Sequence, residues 1–178
     1  MDAGRRETRD ERWEVKHKMS VRTGGGEKTS SAYRSLIKQA VRVALLLEGV
    51  DLPCEVNVLI TSNKVIRGYN RKFRDIDKAT DVLSFPMLEY TMPGWLNRID
   101  SETDRNTGVL PLGDIIISIE KARKQAKDYG HTLEQETTYL IIHSVLHLLG
   151  YDHEIMPMEK MMRFKEKQIM NEMGYLDI

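Results

Sequence analysis

The sequence predicts a single α/β domain with α+β character, in which helices pack against a mixed four-stranded sheet. The chain has 178 residues, 40% of them apolar, which is enough for one core. Segments in which every second residue is apolar, as in strands, alternate with segments whose apolar residues have helical spacing. The predicted order is β-α-β-α-β-loop-β-α-α-α, which gathers the helices towards the C-terminus. Residues 1–12 are mostly charged and are expected to form a flexible tail, so the predicted domain covers 13–178.

Capping and turn residues bound the predicted elements. Strands are predicted at residues 13–21, 56–60, 80–85 and 115–117. Helices are predicted between Ser30 or Ser31 and Gly49, as a short helix from Ser62 or Asn63, and over residues 118–129, 132–149 and 157–173. Thr132 and Gln135 fit a capping box, in which each side chain bonds the other residue's backbone N–H. Residues 87–111 hold prolines and glycines among polar residues and are predicted to form a long loop.

Charge and composition restrict the possible functions. The 27 basic and 27 acidic residues cancel, so any nucleic-acid binding must use a local patch instead of a global field. Cys54 is the only cysteine and cannot form an internal disulfide, which favours a reducing cytoplasm and a role as a small core residue. No apolar run approaches the roughly 20 residues of a membrane span, and the charged N-terminus does not resemble a signal peptide. We therefore expect a cytoplasmic protein without a membrane partner.

Residues 143–153, HSVLHLLGYDH, carry the strongest chemical signal. His143 and His147 are four residues apart, which on a helix places both on one face, one turn from each other. Gly150 can end that helix in the left-handed conformation and turn the chain so that His153 reaches the same point. Zinc favours imidazole ligands, and catalytic zinc sites keep three protein ligands and one open position. The spacing predicts one Zn²⁺ ion on these histidines, although imidazole also suits nickel, copper and iron.

Two alternatives bear on this metal site. A lone histidine on an apolar helix is more often a hydrogen-bonded core residue, but a pair at helical spacing followed by a third histidine favours a ligand set. The pattern H-x-x-x-H-x-x-G-x-x-H also looks like the central metal-binding helix of zincins, in particular of the metzincin proteases. Those proteases have a glutamate as general base after the first histidine, where this chain has Ser144. Peptide hydrolysis therefore remains the second possibility.

A basic segment precedes the third predicted strand. Only Asp75 and Asp77 oppose its cations between residues 62 and 78, so it is the best candidate for a phosphate-binding patch. Alone, such a run is more often the solvated face of a helix. The six cations are Lys64, Arg67, Arg71, Lys72, Arg74 and Lys78.

Three sequence blocks follow one another along the chain: N-x-x-F-R-x-x-D-x-x-T-D-V-L-S-F-P from Asn70, G-D-I-I-I-S from Gly113, and H-x-x-x-H-L-L-G-Y-D-H from His143. Together they resemble the YbeY family of bacterial rRNA maturation endoribonucleases. Their order and spacing extend the resemblance from about Met19 to the C-terminus. One departure is Ala79, where the family usually has proline, a change that affects a turn.

The resemblance implies one compact α/β domain, a zinc ion on the three histidines, and cleavage of single-stranded RNA. It also implies a role in 3′-end maturation of 16S rRNA and in ribosome quality control, with the ribosome and ribosomal proteins as partners. It assigns the metal to His143, His147 and His153 and the family's functional arginine to Arg74. We expect the catalytic residues to be Arg74, which would hold the phosphate, and His143.

The general base stays open at this point, between hydroxide on the metal and Asp114. Asp152 either shapes the turn before His153 or orients an imidazole. Two other functions remain as alternatives: a zincin-like metallopeptidase without its usual base, and a ribosome-associated factor with a structural metal.

Overall fold

The fold is built on a mixed four-stranded sheet. The computed structural model describes residues 15–90, 92–94, 103–153 and 156–175. Its strands are β1 (Lys18–Thr23), β2 (Cys54–Thr61), β3 (Val82–Pro86) and β4 (Leu110–Ser118). They lie in the order β1-β2-β4-β3, with β1, β2 and β4 parallel and β3 antiparallel at one edge. The predicted mixed sheet and α+β class are thus confirmed, whereas the predicted N-terminal tail lies outside the described residues.

Helices cover the two faces of the sheet unequally. They are α1 (Ser31–Leu47), α2 (Asn63–Arg74), α3 (Ile119–Tyr129), α4 (Leu133–Leu148) and α5 (Met156–Glu172). Ile115 and Ile117 of β4 join the main core, to which α1, α3, α4 and α5 contribute. Ile116 points to the other face, where it packs with Ile66 of α2 and Leu83 of β3. The sheet therefore separates α2 from α4.

The predicted caps are present at three helix starts. Ser30 accepts a hydrogen bond from the backbone of Tyr33 at the start of α1, and Ser118 caps α3 in the same way. Thr132 and Gln135 form both bonds of the capping box at α4. Such caps satisfy backbone N–H groups that have no partner within the helix, so short local patterns predicted these starts well.

β4 is the element that the sequence predicted least well. It covers Leu110–Ser118 and not only residues 115–117, so it takes in the last residues of the predicted loop. Pro111 lies where β4 pairs with β2 alone, a position at which a strand tolerates proline. Gly113 has a φ of 143° beside a register shift, and a Cβ there would lie 2.2 Å from the carbonyl oxygen of Phe85. Both residues look like breakers in the sequence, yet each fits its place in the sheet.

Cys54 is a core residue, as predicted. It begins β2, is fully buried, and burial raises the pKa of its thiol to about 12. Within the described part of the chain, no helix combines the length and apolarity needed to cross a membrane.

We expect Gly113→Ala to destabilise the fold by about 3 kcal/mol or more, because the new methyl group would meet backbone atoms of β3. Urea denaturation followed by circular dichroism measures the effect. Gly68→Ala is the matched control: Gly68 lies inside α2 with nothing within 4 Å of the added carbon. Since glycine is a poor helix residue, that control should stabilise the protein by about 0.5–1 kcal/mol. Equal effects of the two substitutions would contradict the packing described for Gly113.

Candidate metal centre

The three predicted histidines meet at one point. Their nearest ring nitrogens all lie within 4.8 Å of one another, so the cluster could hold a metal ion. The Nε2 atoms of His143 and His147 are 3.2 Å apart. Two nitrogens bound tetrahedrally to zinc, at about 2.0–2.1 Å each, would be about 3.3 Å apart. The cluster therefore has suitable donors for a metal ion, and His143 and His147 have a spacing that zinc would fit.

The turn after α4 brings His153 to this point. Gly150 has a φ of 85°, and a Cβ there would lie 2.6 Å from the ring of Tyr90. The Tyr90 hydroxyl donates to the carbonyl of Leu148 at 2.7 Å. Asp152 accepts a hydrogen bond from the backbone N–H of His153 at 2.6 Å, so its carboxylate shapes the turn. Glycine is needed at position 150 for both backbone conformation and close packing.

Polar partners orient the rings of the two helical histidines. The Nδ1–H of His143 donates to Glu166 at 2.6 Å, and that of His147 donates to the carbonyl of Tyr151 at 2.9 Å. These bonds leave both Nε2 atoms free as ligands. Burial, followed by the neighbouring His143, lowers the pKa of His147 to about 4, which keeps its ring neutral.

Glu166 was missed by the sequence analysis. It lies on α5, is only 6% exposed, and also accepts a hydrogen bond from the Tyr139 hydroxyl at 3.3 Å. Burial and the Glu166 carboxylate raise the pKa of Tyr139, so that hydroxyl stays protonated. A signal was present, since Glu166 interrupts the apolar stripe that Met162, Ile169 and Met170 form on α5. Carboxylates seldom occupy such positions without a partner.

Ser144 and Asp114 do not supply a base at the histidines. Ser144 is fully buried, so the position of the protease glutamate faces the core. Asp114 is two residues before Ile116 in β4, so its side chain lies on the same face of the sheet, the one that α2 covers. There it accepts a hydrogen bond from Asn57 at 3.1 Å. Since α4 packs on the other face, the sheet separates Asp114 from His143 and excludes it as a base there.

Arg74 lies at the free edge of β3, and among the described residues it makes no direct hydrogen bond to the histidines. It is the last residue of α2, and its guanidinium donates to the carbonyl of Ser84 at 3.3 Å. The carbonyl of Asp81 faces β4, where it accepts a hydrogen bond from the N–H of Ser118. Successive carbonyls along a strand point in opposite directions, so the carbonyl of Ser84, three residues later, points away from β4. The patch is smaller than its cation count indicates, because Arg67 forms a bidentate ion pair with Asp77 at 2.7–2.8 Å. Arg74 is the member of the basic segment that contacts the edge strand.

Fold and site together define an α+β protein with a candidate three-histidine metal centre on a buried central helix. Residues 20–174 match the model of the family described as endoribonuclease YbeY. The chain therefore belongs to the YbeY family of endoribonucleases, which are hydrolases that act on RNA. The resemblance found in the sequence is confirmed.

Curated relatives agree over most of the chain. The endoribonuclease YbeY of Clostridium kluyveri is 46% identical over 140 residues, which are 76% of this chain and 85% of that protein. The one from Caldanaerobacter subterraneus is 43% identical and covers 82% and 90%. The solution structure of TM1509 from Thermotoga maritima superimposes with a TM-score of 0.54 at 25% identity, covering 88% of this chain and 91% of that one. The fold is thus shared with a solved structure.

We expect Glu166→Gln to weaken zinc binding about 10-fold to 100-fold, because a neutral amide polarises the His143 ring less than a carboxylate does. Competition with a chromophoric zinc chelator measures the affinity without any assay of activity. Glu134→Gln is the matched control, since Glu134 is exposed in the first turn of α4, and it should bind zinc like the wild type. Equal zinc affinities of Glu166→Gln and the wild type would contradict the positioning role of Glu166.

Proposed function

We propose that the chain is a zinc-dependent endoribonuclease specific for single-stranded RNA. One observation carries the proposal: the free Nε2 atoms of His143 and His147 converge at the spacing of zinc ligands, in a member of an endoribonuclease family. We further propose that the enzyme acts in 3′-end maturation of 16S rRNA and in ribosome quality control. Its partners would then be small-subunit rRNA, the ribosome and ribosomal proteins in the cytoplasm.

In this proposal His143, His147 and His153 hold one zinc ion. The ion supplies Lewis-acid chemistry, which polarises a phosphate group and favours its hydrolysis. Glu166 and the Tyr151 carbonyl hold two of the rings so that the Nε2 atoms stay aimed at one point. His153 is exposed, and a cavity of about 300 Å³ lies in front of it and His143. An open cavity is what a catalytic metal needs, and a purely structural one does not.

Arg74 is the residue proposed to hold the phosphate. Within the described part of the chain its guanidinium makes one hydrogen bond, to Ser84, and the side chain is exposed, so further N–H donors can face a ligand. The planar fork of donors fits two phosphate oxygens at once and stabilises the negative charge that grows in the transition state. Because Arg74 contacts β3, we propose that the RNA strand lies along the free edge of β3.

The peptidase alternative lacks support in the site. The position that carries glutamate in metzincins is Ser144, which is fully buried. The carboxylate that bonds His143 is Glu166, and it is engaged with the Nδ1 side of that ring, away from the converging Nε2 atoms. Neither residue can therefore serve as a base of the metzincin kind.

A labelled single-stranded RNA should be cleaved by the wild type, and cleavage should fall in two variants. Arg74→Ala should lower the rate about 100-fold or more, because a charge-stabilising donor is removed. His147→Ala should abolish zinc binding and cleavage together. Arg67→Ala is the control, because Arg67 lies on the same helix as Arg74 but pairs with Asp77, and it should cleave at the wild-type rate.

Two results would contradict the proposal. One is peptide cleavage by a wild-type protein that leaves RNA intact, which would support the peptidase. The other is full RNA cleavage after zinc is removed with a chelator. Analysis of the product ends tests which nucleophile attacks the phosphate, since a 2′,3′-cyclic phosphate excludes direct attack by water.

A further inference from the structure

Tyr151 lies between the second and the third histidine of the cluster and is held at three points. Its N–H donates to the carbonyl of Leu146 at 3.0 Å, and its own carbonyl accepts from the Nδ1–H of His147 at 2.9 Å. The side chain is buried, and its hydroxyl donates to the Oε2 atom of Glu48 at 2.5 Å. Tyr151 thus connects the ring of a candidate metal ligand with the end of α1.

Glu48 occupies a position that does not suit a carboxylate by itself. It is the C-cap of α1, where the helix dipole disfavours negative charge, and its side chain is only 3% exposed. Buried charged groups require partners, and the Oε1 atom of Glu48 lies 3.1 Å from the Nζ atom of Lys165 on α5. Its other oxygen accepts from Tyr151. The partners of Glu48, and not its place in the helix, therefore account for this carboxylate.

The bond between Tyr151 and Glu48 is also shielded from water. A Cβ at Gly94 would lie 3.2 Å from the hydroxyl oxygen of Tyr151 and 3.7 Å from Oε2 of Glu48, so the backbone of Gly94 covers the pair. That backbone is held in turn, since the N–H of Gly94 donates to the carbonyl of Leu149 at 2.8 Å. Hydrogen bonds to a charged group are strong, and more so away from water.

The backbone at Tyr151 needs such a restraint. α4 ends at Leu148, and Gly150 follows in the left-handed conformation, so the hydrogen bonds of the helix do not extend to the Tyr151 carbonyl. Anchoring the ring at its hydroxyl fixes the side chain and with it the direction of the Cα–Cβ bond. The carbonyl of the same residue then keeps its direction towards His147. His153 follows two residues later, so its approach depends on the same anchor.

We propose that Glu48 is a positioning residue of the metal centre, which acts through the Tyr151 hydroxyl to hold the Tyr151 carbonyl on His147. The proposal rests on the function proposed above in one respect, that the histidines bind a metal ion. It adds α1 to the helices that determine the metal affinity. Groups that bond a metal ligand directly change this affinity by about 10-fold to 100-fold, and Glu48 acts one residue further away, so we expect a smaller effect.

A second tyrosine hydroxyl that joins α1 to α4 provides a matched control. Tyr33, in the first turn of α1, shares a hydrogen bond of 2.5 Å with Thr137, which is fully buried in the first half of α4. Tyr33→Phe and Tyr151→Phe each remove one such hydroxyl and leave the aromatic ring in place. Among the described contacts, the bond of Tyr151 leads to a histidine of the cluster and that of Tyr33 does not.

Competition with a chromophoric zinc chelator, in the absence of RNA, measures the affinity of each variant. We expect Tyr151→Phe to weaken zinc binding about fivefold and Tyr33→Phe to stay within about twofold of the wild type. Visible absorption of the cobalt-loaded protein is the second readout, because the bands of bound cobalt depend on the geometry of its ligands. The bands should shift in Tyr151→Phe and stay unchanged in Tyr33→Phe.

Variants of Glu48 test the other end of the bond. Glu48→Met keeps the length of the side chain and removes the acceptor, so it should weaken zinc binding as much as Tyr151→Phe does. The double variant should bind zinc within about twofold of either single variant, because all three lose the same bond. Glu48→Gln keeps an oxygen that can accept from the hydroxyl and should bind zinc more tightly than Tyr151→Phe. If Glu48→Met fails to fold, which circular dichroism reports, the two tyrosine variants still decide the question.

Equal zinc affinities and equal cobalt spectra of Tyr151→Phe and Tyr33→Phe would overturn the proposal, and so would additive losses in the double variant. A wild type that binds zinc but leaves RNA intact contradicts the proposed function alone, since the positioning role is measured by metal binding. A wild type that binds no zinc contradicts both.

Discussion

The burial of α4 is the constraint on which the site depends. Leu140, Ile141, Val145 and Leu148 are almost completely removed from water between the sheet and the helices around it. Each such side chain contributes about 1.5–3 kcal/mol when buried, so rotating α4 would cost several of these contributions at once. The helix therefore has one orientation, and its two histidines have one direction in which to point. The precision of the site comes from apolar packing.

Polar contacts then join distant segments to that helix. Glu166 brings α5 to His143, and Tyr90 and Tyr151 tie the turn after α4 to neighbouring segments. Tyr151 also donates a hydrogen bond to Glu48 at the end of α1. A metal ion bound by the histidines would act on the same contacts, since a ligand that binds only the native state stabilises it. Metal binding would thus be linked to the docking of α5 through Glu166.

Local patterns predicted the parts of the site that depend on neighbouring residues. The spacing of His143 and His147, the glycine at 150 and the capping box at Thr132 all act within one or two helical turns. Glu166 could not be assigned in this way, because its partner is 23 residues away and on another helix. Asp114 stayed a candidate base for a related reason: the strand alternation shows two faces, but only the packing shows which one α4 covers.

The contact between Arg74 and Ser84 has a consequence for what can bind at β3. An exposed edge strand normally offers unpaired N–H and C=O groups on which another chain can build by strand addition. Here Arg74 covers the outward carbonyl of Ser84, Asp81 accepts from the N–H of Val82, and Pro86 has no N–H at all. The edge therefore offers fewer groups for β-augmentation than an ordinary edge strand does, which disfavours an extended peptide there and also disfavours edge-to-edge aggregation.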